Sequence, residues 1–127
     1  MKTAVIVDSV RTGLAKSHRG GFNITRADDM LAHIINGMLE RNPNLPPEMV
    51  EDVIMGCGNP EGSMGHNIGR NAAVLSNLPI TTGGTTVNRY CSSGLQTVSM
   101  AASQIMAGCY DTVTVSYTHL TLPTKLA

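Results

Sequence analysis

The chain lacks tryptophan altogether and carries one phenylalanine and three tyrosines in 127 residues. Without large rings, any core must be built from Val, Ile, Leu, Met and Ala in tight layers, and a hydrophobic content of 42% supplies them. That composition suits a covered α/β sandwich. An excess of one charge is also missing, because nine Lys and Arg balance nine Asp and Glu. No basic run interleaves with aromatics, so a nucleic-acid partner has no electrostatic support. No stretch is apolar for long enough to span a bilayer, and Ala4–Val7 meets Asp8 and Arg11 well short of a signal-peptide core. The expectation is a soluble, cytoplasmic protein. Cysteine is scarce: Cys57, Cys91 and Cys109 are odd in number and show no Cys-x-x-Cys spacing, which argues against a disulfide framework and against a zinc site.

Periodicity gives an alternating order of elements. Thr3–Val10, with a continuous apolar centre, predicts a central first strand covered on both faces. Arg11–Ile24 reads as a loop. Thr25 followed by Asp28 resembles a capping box, and Met30, Leu31, Ile34, Ile35, Met38 and Leu39 recur at helical spacing as far as about Arg41, before Pro43. Leu45–Val50 predicts a short helical turn opened by proline, and Asp52–Gly58 a second strand. Asn67–Asn77 reads as a helix closed by Pro79, Thr85–Arg89 as a short strand, Ser92–Gly108 as a buried helix and Asp111–Val115 as the start of another strand. The fold class is α/β, a layered sheet with helices on its faces.

The glycines at 56, 58 and 62 suggest a dinucleotide loop, but the third falls one position late. Pro60 would also remove an N–H from any phosphate cradle, so a tight turn after the strand is expected. His18 and His66 lie in loops and His33 on the polar side of a helix, so these three, with His119 near the terminus, are expected to be solvated.

Cys91 sits where a predicted strand gives way to a predicted helix, in Asn88-Arg89-Tyr90-Cys91-Ser92-Ser93-Gly94. Backbone N–H groups of a first helical turn have no intrahelical partner, and with the helix dipole they favour a thiolate over a thiol. Cys91 is therefore the candidate nucleophile. Ser92, Ser93 and Gly94 would keep the turn slim enough for a ligand to approach. Cys57 at a strand end and Cys109 past the helix are expected to be core or near-core residues without a reactive role.

The Asn88–Gly94 segment resembles the nucleophilic-cysteine motif of the thiolases, and so do Ala4–Thr12, Asn67–Ala73 and Gly108–Asp111. The likeness is greatest to the 3-ketoacyl-CoA thiolase branch, the acetyl-CoA C-acyltransferases. It implies a thiolase-like α/β/α layered fold, of which this chain would be the N-terminal half. It also implies thiolytic cleavage of a 3-ketoacyl-CoA by coenzyme A through an acyl group on Cys91. Coenzyme A would be a substrate rather than a bound cofactor, and the assembly a homo-dimer or homo-tetramer. The same residues run in reverse would make acetoacetyl-CoA, and a non-catalytic acyl-CoA-binding protein of thiolase descent is the rival of another class. The family's Gly-His-Pro base and its second Cys, followed by a glycine run, do not occur here, so the likeness implies a parent roughly three times longer. The chain alone is expected to be inactive. Residues 1–115 are expected to be thiolase sequence, whereas 116–127 depart from the family pattern and resemble a translated sequencing-adapter read.

Overall fold

The computed structural model describes residues 1–118; His119 and the rest of the tail lie outside the described residues. Its helices are α1 (Ala27–Arg41), α2 (Ile68–Leu75) and α3 (Ser93–Met106), and its strands are β1 (Asp52–Cys57), β2 (Gly83–Val87) and β3 (Val113–Thr118). Short 3-10 turns at Pro47–Met49, Gly62–Met64 and Tyr90–Ser92 join them.

The strands form one parallel sheet in the order β2-β1-β3. The two crossovers therefore run in opposite directions across the sheet. Right-handed connections then place their helices on opposite faces, α2 on one side and α3 on the other. Every residue of β1 is buried, as a strand flanked on both edges and covered on both faces must be. Val53, Met55 and Cys57 face the main core with Leu31 and Ile35 of α1 and Ile68, Ala72 and Ala73 of α2. The Val, Met, Leu and Ile side chains among them each contribute roughly 1.5–3 kcal/mol when fully buried. Ile54 and Gly56 alternate to the α3 side. Among the described residues no helix is long and apolar enough to cross a membrane.

The capping expectation at α1 is corrected. The N-cap is Arg26, with no side-chain cap, and Asp28 instead holds the Arg26 guanidinium through two hydrogen bonds of 3.0 and 2.8 Å. Asp28 is 5% exposed, and this pairing outweighs burial to bring its carboxyl below the ordinary value. β2 begins two residues before the predicted start, at Gly83-Gly84. These glycines are weak strand formers, but a Cβ on Gly84 would lie 2.3 Å from the Arg70 backbone. Close approach of α2 accounts for the glycine there.

Two further expectations are overturned. Thr3–Val10 forms no strand, and Val5, Ile6 and Val7 are 71%, 82% and 83% exposed. The segment is held by its polar ends, with Lys2 paired to Asp111 and Asp8 accepting from Arg41 and Asn42. An apolar run becomes a central strand only if two strand edges pair with it, and here β1 occupies the centre between β2 and β3. Nor is α3 buried all round. Ser93, Thr97 and Ala101 face the sheet, while Leu95 and Met106 are 76% and 40% exposed. The apolar outer face finds no cover among the described residues.

Candidate active site

Parallel α/β sheets place ligands at the carboxyl ends of their strands, where the connecting loops gather. The Asn88–Gly94 turn lies at that edge, leading from the end of β2 into α3. Three glycines let it nest against the sheet. A Cβ on Gly56 would come within 2.8 Å of the Ser93 carbonyl carbon, one on Gly58 within 3.1 Å of the Tyr90 oxygen, and one on Gly94 within 2.9 Å of the Tyr117 Cβ. The Gly56-Cys57-Gly58 run is thus a seat for the turn as well as a bend after a strand. Sequence reading missed this, although two small residues at a buried strand end are a signal of close backbone approach. Ser93 and Gly94 face inward, so their smallness serves packing on β1 and β3 rather than access for a ligand.

The turn is braced from within. Asn88 Oδ1 accepts the Tyr90 N–H at 2.9 Å, and the Ser92 N–H reaches the Arg89 carbonyl at 3.0 Å. Ser93 Oγ accepts the Arg89 N–H at 2.9 Å and donates to the Tyr90 carbonyl at 2.6 Å. Tyr90 itself sits at φ 47°, in the left-handed region, which costs a non-glycine residue on the order of 1–3 kcal/mol. The reversal allows a β strand to pass into α3 through one tight 3-10 turn. Cys91, in the middle of that turn, is exposed. Among the described residues its N–H donates to no backbone or side-chain acceptor, which leaves it free as an oxyanion donor.

The other candidates separate clearly. Cys57 is 0% exposed, with its Sγ 4.0 Å from the Met64 carbonyl, and so is a core residue as expected. Cys109 is exposed, a correction to its expected place in or near the core. The reason is a helix stop: Gly108 at φ 81° lets the Cys109 N–H return to the Gln104 carbonyl at 2.9 Å and the Gly108 N–H to Ile105 at 3.0 Å. That hydrogen-bond pair turns the chain outward. His18, His33 and His66 are all exposed, as expected. None has a hydrogen bond to the Asn88–Gly94 turn. Asn67 caps α2 through the Arg70 N–H at 3.2 Å and binds the Gly84 carbonyl and Thr86 hydroxyl at 2.9 and 2.7 Å. The Gly62–Arg70 stretch therefore ties α2 to β2. A cavity of about 360 Å³ opens elsewhere, between Arg11 and the His33, Ile34 and Gly37 face of α1. The Cys91 thiol does not line it. Among the described residues no three His, Cys, Asp or Glu side chains are grouped to hold a metal ion.

The arrangement can present a thiol beside a free N–H on a rigid turn, which is half of an acyl-transfer site. Residues 4–116 match the family described as Thiolase, N-terminal domain. The chain is 46% identical over 111 residues to a 3-ketoacyl-CoA thiolase of Aliivibrio salmonicida (strain LFI1238), covering 87% of this chain and 29% of the relative. It is also 46% identical over 112 residues to 3-ketoacyl-CoA thiolases of Shewanella sp. (strain W3-18-1) and Shewanella baltica (strain OS155 / ATCC BAA-1091), covering 88% of this chain and 29% of each. The chain thus spans less than a third of the length of these curated relatives.

Proposed function

The chain belongs to the thiolase family, whose N-terminal domain it carries, and on that premise we propose that its protein is an acetyl-CoA C-acyltransferase with Cys91 as nucleophile. The carrying observation is the exposed Cys91 thiol beside its own unengaged N–H, on a braced turn at the carboxyl edge of the sheet. In the degradative direction Sγ attacks the 3-keto carbon of a 3-ketoacyl-CoA. The C2–C3 bond breaks, its electron pair passes to the acetyl-CoA enolate, and that enolate takes a proton at C2. The shortened acyl group remains on sulfur as a thioester. The thiol of coenzyme A, losing its proton to a base, then displaces Cys91 and leaves as the shortened acyl-CoA.

A thioester is exchanged for a thioester, so little free energy is lost at the transfer step. Coenzyme A is a substrate in this scheme and no prosthetic group takes part. The proton donor and acceptor are assigned to residues outside this chain, because the sequence has no Gly-His-Pro segment and, among the described residues, His18, His33 and His66 are exposed and make no hydrogen bond to the turn. A soluble cytoplasmic homo-dimer or homo-tetramer belongs to the same proposal. So does the division into a thiolase domain over 1–115 and a tail over 116–127, which resequencing of the locus tests. The enzymatic test is acetoacetyl-CoA cleavage by the full-length protein in the presence of coenzyme A. Cys91→Ser should keep the fold and lose turnover by several orders of magnitude, since an unactivated hydroxyl is a poor nucleophile. Near-normal turnover in that variant contradicts the proposal.

A further inference from the structure

Ser93 is wholly buried, yet its hydroxyl acts on the backbone just ahead of the nucleophile. It accepts from the Arg89 N–H at 2.9 Å and donates to the Tyr90 carbonyl at 2.6 Å. Asn88 Oδ1 adds a third link by accepting the Tyr90 N–H at 2.9 Å. Tyr90 is thereby held at both its amide and its carbonyl, and it is the residue of the turn in the left-handed region, at φ 47°. A bulky aromatic does not hold that conformation unaided.

We propose that Ser93, assisted by Asn88, is a positioning residue for Cys91. It locks Tyr90 in its left-handed conformation, so that the thiol stays exposed and the Cys91 N–H stays clear of internal acceptors. Only a group that accepts and donates at once can span Arg89 and Tyr90, and alanine does neither. Tyr90 is 76% exposed, so neighbouring side chains do little to fix it. The backbone of the turn depends on the two polar side chains instead. The inference rests on Cys91 being the nucleophile of the proposed acyl transfer. Alkylation needs no acyl donor, however, so the two readings can fail separately.

The cysteines supply internal controls. Cys109 is exposed and lies beyond α3, away from the turn, while Cys57 is buried and reacts only if the fold opens. Brief iodoacetamide labelling of the full-length protein, followed by peptide mapping, gives the ratio of Cys91 to Cys109 rates. Ser93→Ala should lower that ratio by ~threefold or more, because a turn no longer locked at Tyr90 does not hold the Cys91 thiol exposed. Adding Tyr90→Asn should recover most of the loss, since asparagine tolerates the left-handed region. A packing defect would show no such rescue. If Ser93→Ala renders Cys57 reactive, the measurement passes to Asn88→Ala, an exposed position where the same fall and the same rescue are expected. An unchanged ratio in the variant that keeps Cys57 protected, or a fall that Tyr90→Asn does not reverse, overturns the proposal.

Discussion

Cys91 and Cys109 are both exposed, so exposure alone does not rank them. What differs is the backbone beneath. Cys91 lies in the turn that opens α3, whereas Cys109 follows the helix stop made by Gly108. The proposed nucleophile is the thiol on the braced turn, so limited alkylation should mark Cys91 first, Cys109 next and buried Cys57 last. Equal labelling of Cys91 and Cys109 under native conditions would remove the distinction. The place of Cys91 in a strand-to-helix turn was legible in the sequence, because such a junction leaves a local signature. The exposure of Cys109 was less so, since a polar-poor neighbourhood reads as core unless Gly108 is recognised as a left-handed helix stop.

Two carboxylates give opposite pH signatures. Asp28 has its value lowered, first by its hydrogen bonds to Arg26. Its contribution to stability is present above the ordinary 3.8 and is lost as pH falls through the lower folded value. Asp28→Asn should therefore melt earlier than wild type at neutral pH, and the gap should close under strong acid. Asp52 is raised by burial, against the hydrogen bonds from the Val53 N–H and the Tyr110 hydroxyl. Its neutral form is favoured in the fold, so stability is lost as pH climbs through the raised value. Asp52→Asn should remove that loss and flatten the melting profile through the mildly acidic range. A melting temperature for Asp52→Asn that tracks wild type at every pH would contradict the assignment.

At the scale of elements, the strongly periodic segments were legible. α1 ends at Arg41 as its apolar spacing requires, β1 falls on the continuous run from Asp52, and α2, α3 and β3 appear within a few residues of their expected bounds. What failed depended on partners that sequence does not display. Ala4–Val7 has the composition of a central strand, yet such a strand exists only through neighbouring edges, and β1 takes that place. The glycine-rich start of β2 looked like a loop because its reason lies in α2. A Cβ at Gly69 would stand 2.3 Å from the Thr85 carbonyl oxygen, as one at Gly84 would from the Arg70 backbone. Gly69→Ala and Gly84→Ala should each cost about 1–3 kcal/mol, read as a lower urea midpoint with an unchanged slope. A midpoint equal to wild type in both would mean that α2 and β2 are not in such close contact.

At the scale of the whole molecule, apolar surface is unevenly distributed. Val5–Val7, the Leu95 and Met106 side of α3, and Val74, Leu75 and Ile80 around α2 are all substantially exposed, while β1 beneath them is fully buried. Exposed apolar area on this scale marks surfaces that other protein covers, and β2 and β3 each leave one edge unpaired among the described residues. The 127-residue chain by itself should bind a hydrophobic dye and self-associate at micromolar concentration. A monodisperse, cooperatively melting chain that cleaves acetoacetyl-CoA would contradict both this expectation and the assignment of the base to residues outside the chain. The central claim, that Cys91 carries the acyl group, is tested most directly by trapping that group. The full-length protein is mixed with acetoacetyl-CoA without added coenzyme A, quenched in acid and mapped by peptide mass. An acetyl group on the peptide containing Cys91, released on addition of coenzyme A, is the predicted result; acetylation at Cys57 or Cys109 alone, or on no cysteine while turnover proceeds, would contradict it.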